Sequence, residues 1–195
     1  CFAPIETDIV YKPFMSSEII ESLDDDQINI YRDVYAMLIR PVMERDRPAM
    51  VGISVVQQKQ LIPTFTFCKM IKEEFPGTHI TLGGNIITRI RDMLPGMENL
   101  WEMFDSAIVY EGESAYLKLT EAVKNGDDFS SLPNLIYKDE SGIHVNKEVF
   151  AESLAELPPP DFDGLPLEKY FVPQLILPYL ATRGCYWGRC TFCDH

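Results

Sequence analysis

Three cysteines close to the carboxyl end, Cys185, Cys190 and Cys193, are separated by four and two residues. A thiolate is a soft donor, and crowded thiolates are the ligand set that both zinc and iron–sulfur clusters favour. Zinc asks for four ligands, usually in a closed tetrahedron. Three local cysteines leave it one short, and His195, two residues past Cys193, would complete a Cys3His set. A cubane cluster on three protein thiolates instead keeps one iron open, and an open iron can hold a substrate. The spacing alone leaves both readings standing. Gly184 and Gly188 suit a loop that bends closely around a cluster. Cys1 and Cys68 belong to other regions and are expected to be buried as small apolar side chains.

The rest of the chain must position this loop. At 195 residues it can hold one full domain and part of another. With 46% hydrophobic residues it has ample material for a core. No apolar run approaches the ~18 residues of a membrane span, and no signal peptide is recognisable. The net charge of −13, with clusters at Asp24–Asp26, Glu73–Glu74 and Asp127–Asp128, would repel phosphate backbones, so a nucleic-acid partner is not expected. These clusters read as solvated loops and helix ends. Five cysteines, three of them crowded together, do not make a disulfide framework, and a reducing cytoplasm is the expected compartment. The chain begins at Cys1 and stops two residues after the last motif cysteine, which predicts a fragment of a longer protein.

Residues 1–24 read as irregular. From about Asp26 the apolar positions Ile28, Tyr31, Val34, Tyr35, Leu38 and Val42 recur at helical steps. Asp24–Asp26 suit the start of that helix, and Pro41 should kink or end it. Met50–Val56 is short, apolar and β-branched, as for a strand buried on both faces. A helix is expected from near Pro63 to Phe75, with Phe65, Cys68, Ile71 or Lys72, and Phe75 on one side. Pro76-Gly77 should end it. Ile80–Leu82 then reads as a strand, Ile86–Leu94 as a weak helix, Ala107–Tyr110 as a strand, and Ser114–Lys124 as a helix closed by Asn125-Gly126. Leu135–Lys138 and Ile143–Asn146 flank Asp139–Gly142 as a hairpin.

Alternating strands and helices predict an α/β fold, a three-layer Rossmann-like (flavodoxin-like) parallel sheet with helices on both faces. The expected divisions are residues 1–48, an irregular segment plus helix; 49–150, the Rossmann-like domain with its carboxyl-terminal hairpin; and 151–173, a Pro-rich linker. Residues 174–195 then carry the cysteine loop, with Leu175–Leu177 as a possible strand ahead of it. In an open parallel sheet, ligands bind beyond the carboxyl ends of the strands. Ser54–Gln57, Gly83–Asn85 and Tyr110–Glu113 all fall there.

Arg183-Gly184-Cys185, Cys190 and Phe192-Cys193 after an apolar segment resemble the cluster loop of radical S-adenosylmethionine enzymes. The commonest spacing in that family has three residues between the first two cysteines, and this chain has four. The resemblance implies that Cys185, Cys190 and Cys193 hold a [4Fe–4S] cluster whose open iron chelates S-adenosylmethionine, with Phe192 near the adenine. Upstream, Val51–Val55, Pro63-Thr64-Phe65, Leu82-Gly83-Gly84 and Glu111-Gly112-Glu113 resemble the cobalamin-binding domain of one branch of that family. It implies cobalamin contacts at Ser54, Val55, Gln57, Thr64, Gly83, Gly84, Asn85, Tyr110, Glu111, Gly112 and Glu113. One or two strands of that domain would precede residue 1, and the barrel would continue past His195.

None of the three histidines sits in an Asp-x-His-x-x-Gly motif, so no histidine from this chain is expected on cobalt. His79 and His144 read as surface or hairpin positions. The resemblance implies a parent enzyme that forms a 5′-deoxyadenosyl radical and methylates an unactivated carbon, with ring formation or oxidation as the second outcome. An electron donor such as a flavodoxin or ferredoxin would serve it, the substrate is unknown, and the fragment alone is expected to be inactive. The competing reading is a non-catalytic flavodoxin-like nucleotide- or flavin-binding module with a carboxyl-terminal zinc site.

Overall fold

The computed structural model describes residues 10–13, 15–148, 153, 155, 157–170, 172–177, 182–183 and 185–191. The chain divides into two units, Cys1–Ala151 and Glu152–His195.

The first unit is organised by a five-stranded sheet. β1 (Met50–Ser54) lies parallel to β2 (His79–Gly83), with Met50 opposite His79 and Ser54 opposite Gly83. β3 (Ser106–Ile108) runs parallel along the other side of β2. β4 (Leu135–Asp139) is antiparallel to β3, and β5 (Gly142–Val145) antiparallel to β4, in the order β1-β2-β3-β4-β5. The expected hairpin therefore forms, but it joins the main sheet and makes it mixed where a parallel sheet was expected. The reason lies in residues 127–134. After the helix that follows β3, this segment climbs back along the sheet before β4 starts. Phe129 packs edge-on against His79 at the amino end of β2, at 5.5 Å, and the Asn134 side chain reaches the Glu111 carbonyl beyond the carboxyl end of β3. A strand begun from there must run downward.

Alternation of side chains across the strands fills two cores, one on each face. Val51, Ile53, Ile80, Leu82, Ala107, Val109 and Ile136 face one core, with Phe65, Cys68 and Ile71 of helix α4 (Leu61–Glu74). Ile108, Leu135 and Tyr137 face the other, with Ala115, Leu119 and Ala122 of helix α6 (Glu113–Asn125). Each fully buried Leu, Ile or Phe contributes about 1.5–3 kcal/mol. The layering is thus helix, sheet, helix. Gly126, in the left-handed region at φ 73°, closes α6 as expected.

Several elements depart from the sequence reading. Within residues 1–24, read as irregular, helix α1 (Ser16–Leu23) buries Ile19, Ser22 and Leu23. Its two turns are too short for a clear period. Asp25 does not start the next helix. It ties a turn instead, accepting from the Gln27 and Ile28 N–H groups and from the Tyr11 hydroxyl, which holds its carboxyl below the usual range. The helical arm begins later, as α2 (Tyr31–Val34), widens into a π turn (Tyr35–Ile39) and continues as α3 (Arg40–Asp46) through Pro41. Pro41 has no N–H to give the carbonyl one turn back, and its ring crowds it. The helix accommodates this by a wide turn in which the Arg40 N–H reaches five residues back to Tyr35. That turn shifts the inward face by one residue. Tyr35, Ile39 and Met43 face the core, while Leu38 and Val42, expected inside, are exposed.

β1 was expected to be buried on both faces, yet among the described residues it is the sheet edge, with Gly52 and Ser54 exposed. The expected helix over Ile86–Leu94 is only α5 (Asn85–Arg89), followed by turns and two short 3-10 segments, Leu94–Gly96 and Glu98–Leu100. His79, read as a surface position, is half-buried, bonded through Nε2 to Ser106 (2.8 Å), and burial lowers its pKa.

In the second unit, residues 157–163 contain no helix or strand, and Leu167–Lys169 forms a 3-10 turn. Leu175–Leu177, read as a possible strand, has no regular structure here, and Ile176 is 81% exposed. No ladder partner lies beside it among the described residues.

Candidate functional site

The residues expected to meet a ligand fall in two places. The first is the carboxyl end of the parallel strands. Ser54 and Gly83 are opposite each other at the ends of β1 and β2. Ser54, Gln57, Asn85 and Glu113 are exposed, and Gly83, Gly84, Tyr110, Glu111 and Gly112 are half-exposed. Together they make an open ledge. Val55 and Thr64 do not join it. Val55 is fully buried, and Thr64 is buried within α4, 4% exposed.

Backbone contacts build this ledge. The Val55 N–H donates to the Gly83 carbonyl (2.7 Å), and the Val55 carbonyl accepts from the Ile86 N–H (3.1 Å). Gly84 crosses this pair at φ 94°, where a Cβ would stand 2.6 Å from the Val55 oxygen. A glycine is therefore needed for packing of backbone on backbone. Gly83 is different: a Cβ there would meet only the Ile108 carbonyl, at 3.7 Å. After β1 the chain is capped by its own side chains. Gln60 Oε1 accepts from the Val56 and Gln57 N–H groups (2.7 and 2.8 Å), and Gln57 returns the bond.

At the end of β3, Tyr110 sits in the left-handed region at φ 60°. Its N–H donates to the Thr88 hydroxyl (2.8 Å), its hydroxyl donates to Glu148 (3.0 Å), and the Arg91 guanidinium lies 5.1 Å from its ring centre. Burial, then the Glu148 hydrogen bond, raises its pKa, and Arg91 opposes the shift. The sequence reading missed Thr88, Arg91 and Glu148. No local motif marks them, because α5 and the stretch after β5 meet only through the fold.

A cavity of 390 Å³, lined by Lys72, Trp101, Phe104, Asp105 and Lys138 among others, lies at the amino end of β3, opposite the ledge. Its lysines are paired: Lys72 donates to both Asp105 oxygens (2.8 and 2.6 Å), and Lys138 to Glu102 (2.7 Å).

The second place is the cysteine loop. Cys185 and Cys190 are exposed and free. The Cys185 sulfur accepts backbone N–H bonds from Gly188 and Trp187, which hold its thiol below the usual value. Gly188, at φ 57°, allows that close turn. Tyr186 is fully exposed, so its ring takes no part in forming the loop. Cys193, Phe192 and His195 lie outside the described residues, as does Cys1. Among the described residues, no three His, Cys, Asp or Glu side chains gather as a metal site. Cys68 is fully buried in α4, as expected of a small apolar residue, and desolvation pushes its thiol far up. His144 lies in the hairpin, as expected, bonded to Asp139 and Ser141.

No family model matches the chain. An uncharacterised methyltransferase from Pyrococcus horikoshii is 24% identical over 158 residues, which is 80% of this chain and 33% of that protein. The chain thus spans about a third of the length of this relative. Two solved structures of the radical S-adenosylmethionine methyltransferase TsrM from Kitasatospora setae are also similar. The one with tryptophan and a S-adenosylmethionine analogue bound matches with TM-score 0.48 and 17% identity, over 76% of this chain and 28% of TsrM. The one with cobalamin and a [4Fe–4S] cluster bound matches with TM-score 0.46 and 18% identity, over 73% and 27%.

The arrangement itself supports two chemical capacities. The ledge offers exposed backbone and small side chains beside a fixed aromatic ring. The loop offers a thiol already biased toward the thiolate, the form that binds soft metals. No helix among the described residues is long and apolar enough to cross a membrane.

Proposed function

We propose that the chain belongs to a cobalamin-dependent radical S-adenosylmethionine enzyme that methylates an unactivated carbon. The observation that carries this reading is the Cys185, Cys190, Cys193 series, in which Cys185 and Cys190 stand exposed and free. The methyltransferase relative, matched over 80% of the chain, supports the class of reaction.

In this reading Cys185, Cys190 and Cys193 hold a [4Fe–4S] cluster, and Phe192 lies against the adenine of S-adenosylmethionine. The donor chemistry fits, since exposed cysteine thiols, as thiolates, are the ligands of iron–sulfur clusters. Ser54, Gln57, Gly83, Asn85 and Tyr110–Glu113 take cobalamin on the ledge, where Gly83 leaves room for close approach. Val55 and Thr64 act from behind, in the backbone crossing and the α4 packing that support the ledge, and Gly84 makes that crossing at the ledge itself. When bound, the cofactors supply one-electron reduction of S-adenosylmethionine and a transferable methyl group. This chain's own residues bind them and orient them. A flavodoxin or ferredoxin would supply the electron.

The test is anaerobic reconstitution of the full-length protein, followed by iron, sulfide and zinc analysis and a visible spectrum. Iron and sulfide with broad visible absorbance are expected, lost in Cys190→Ala while the upstream sheet stays folded. Bound zinc without that absorbance refutes the cluster. Collapse of the whole fold in Cys190→Ala indicates a structural metal. Failure to bind hydroxocobalamin refutes the cobalamin role.

A further inference from the structure

A bulky side chain in the left-handed region is an outlier, and such outliers persist only where surrounding contacts hold them. Among the described residues, two other non-glycine residues share that conformation, and each has a local reason. Arg47 ends α3, and Asn134 has the short polar side chain that tolerates it. Tyr110 has neither. It is an aromatic residue at the mouth of the sheet, gripped at three points. Thr88 of α5 takes its N–H, while its own hydroxyl is anchored on the Gly84 carbonyl (3.3 Å). Glu148, three residues beyond β5, accepts the hydrogen bond of the phenol O–H (3.0 Å). Arg91 stacks on the ring, donates to the Thr88 carbonyl (3.0 Å) and faces Glu148 across 3.6 Å.

We infer that Arg91, Glu148 and Thr88 are positioning residues that lock Tyr110 at the carboxyl end of the sheet, and that a corrinoid seated on the ledge is recognised through the ring so fixed. The inference rests on the cobalamin reading and extends it to residues that touch no cofactor. Two segments distant in sequence, the end of α5 with the residues just after it and the stretch after β5, converge on one side chain in the turn after β3. Their contacts spend a charge pair and two hydrogen bonds on holding a residue in a costly backbone state. Packing alone gives no reason for this, because a glycine or asparagine would adopt the same backbone at lower cost.

Two measurements on the full-length protein test it. The first needs no ligand. The Tyr110 ring resonance, assigned by its loss in Tyr110→Phe, is followed through its titration. Among the described residues, the charged groups that act on this phenol include Glu148, Arg91 and Asp92. Removing the Glu148 charge in Glu148→Gln is expected to lower the midpoint, and removing the cation in Arg91→Met to raise it. Midpoints that stay put in both variants overturn the lock. The second measures hydroxocobalamin affinity by equilibrium dialysis. Tyr110→Phe and Glu148→Gln are each expected to weaken binding by about three- to tenfold, the scale of one hydrogen bond, and the double variant no further. Losses that multiply, or no loss, overturn the positioning role. If the unaltered protein takes up no hydroxocobalamin, the cobalamin reading and the recognition part of this inference fail together, and the lock is decided by the titration alone.

Discussion

Gly84→Ala separates a packing glycine from a ligand-clearing one. The new Cβ would stand 2.6 Å from the Val55 carbonyl oxygen and 2.8 Å from the Val55 nitrogen, both backbone atoms that cannot swing away. Its backbone, at φ 94° and ψ 175°, is a conformation that essentially only glycine adopts, at a cost to other residues of about 1–3 kcal/mol. Overpacking adds roughly 1–3 kcal/mol more. The expected loss is therefore about 2–6 kcal/mol, or roughly 5–20 °C in Tm for a chain of this size. Two neighbours calibrate it. Gly83→Ala meets only an ordinary contact at 3.7 Å and should cost under about 1 kcal/mol. Gly77→Ala, with nothing within 4 Å, should be neutral or slightly stabilising. Urea unfolding followed by circular dichroism measures all three. If Gly84→Ala unfolds at the same urea concentration as Gly83→Ala, the backbone crossing at Val55 is not what requires glycine there.

Lys72→Met leaves the half-buried Asp105 carboxylate without its cation while it still accepts the Ile80 N–H. A loss of about 1–3 kcal/mol in urea unfolding is expected, recovered in part by adding Asp105→Asn. Asp139 is held down to about 2 by the Ser141 hydroxyl, then by His144 and the Ser141 N–H. A carboxyl lowered on folding stabilises above its unfolded value of 3.8, and that contribution disappears as pH falls from there to about 2. The stability gap between the protein and Asp139→Ala should therefore be full above pH 4 and close near pH 2, and a gap independent of pH would refute the assignment.

What the sequence showed of this fold was governed by the range of the forces involved. Periodicity, Pro63, Pro76-Gly77 and Asn125-Gly126 act locally, so α4, α6 and the three parallel strands were legible to within a few residues. The antiparallel entry of β4 depends on where residues 127–134 lie against His79 and Glu111, which no window of sequence contains. The same holds for the site. Gly83 and Gly84 look alike in the chain, yet only one is hemmed in by Val55. Thr64 follows Pro63 as the resemblance asks, but helical geometry turns it into the core. Tyr110 was legible as a ledge residue, while its holders, Arg91 and Glu148, come from segments 57 residues apart in the chain.

The wide turn ahead of Pro41 bears on how the surface of the arm should be understood. Met37 and Leu38 stand 73% and 63% exposed, a pair that invites interpretation as a docking patch. A simpler origin is available. Closing one turn over five residues spends an additional residue on the same rotation, so whatever side chains follow are carried past the core and their successors take the inward places. Grease left facing water here is a by-product of helix winding, and it tells nothing by itself about company the molecule keeps.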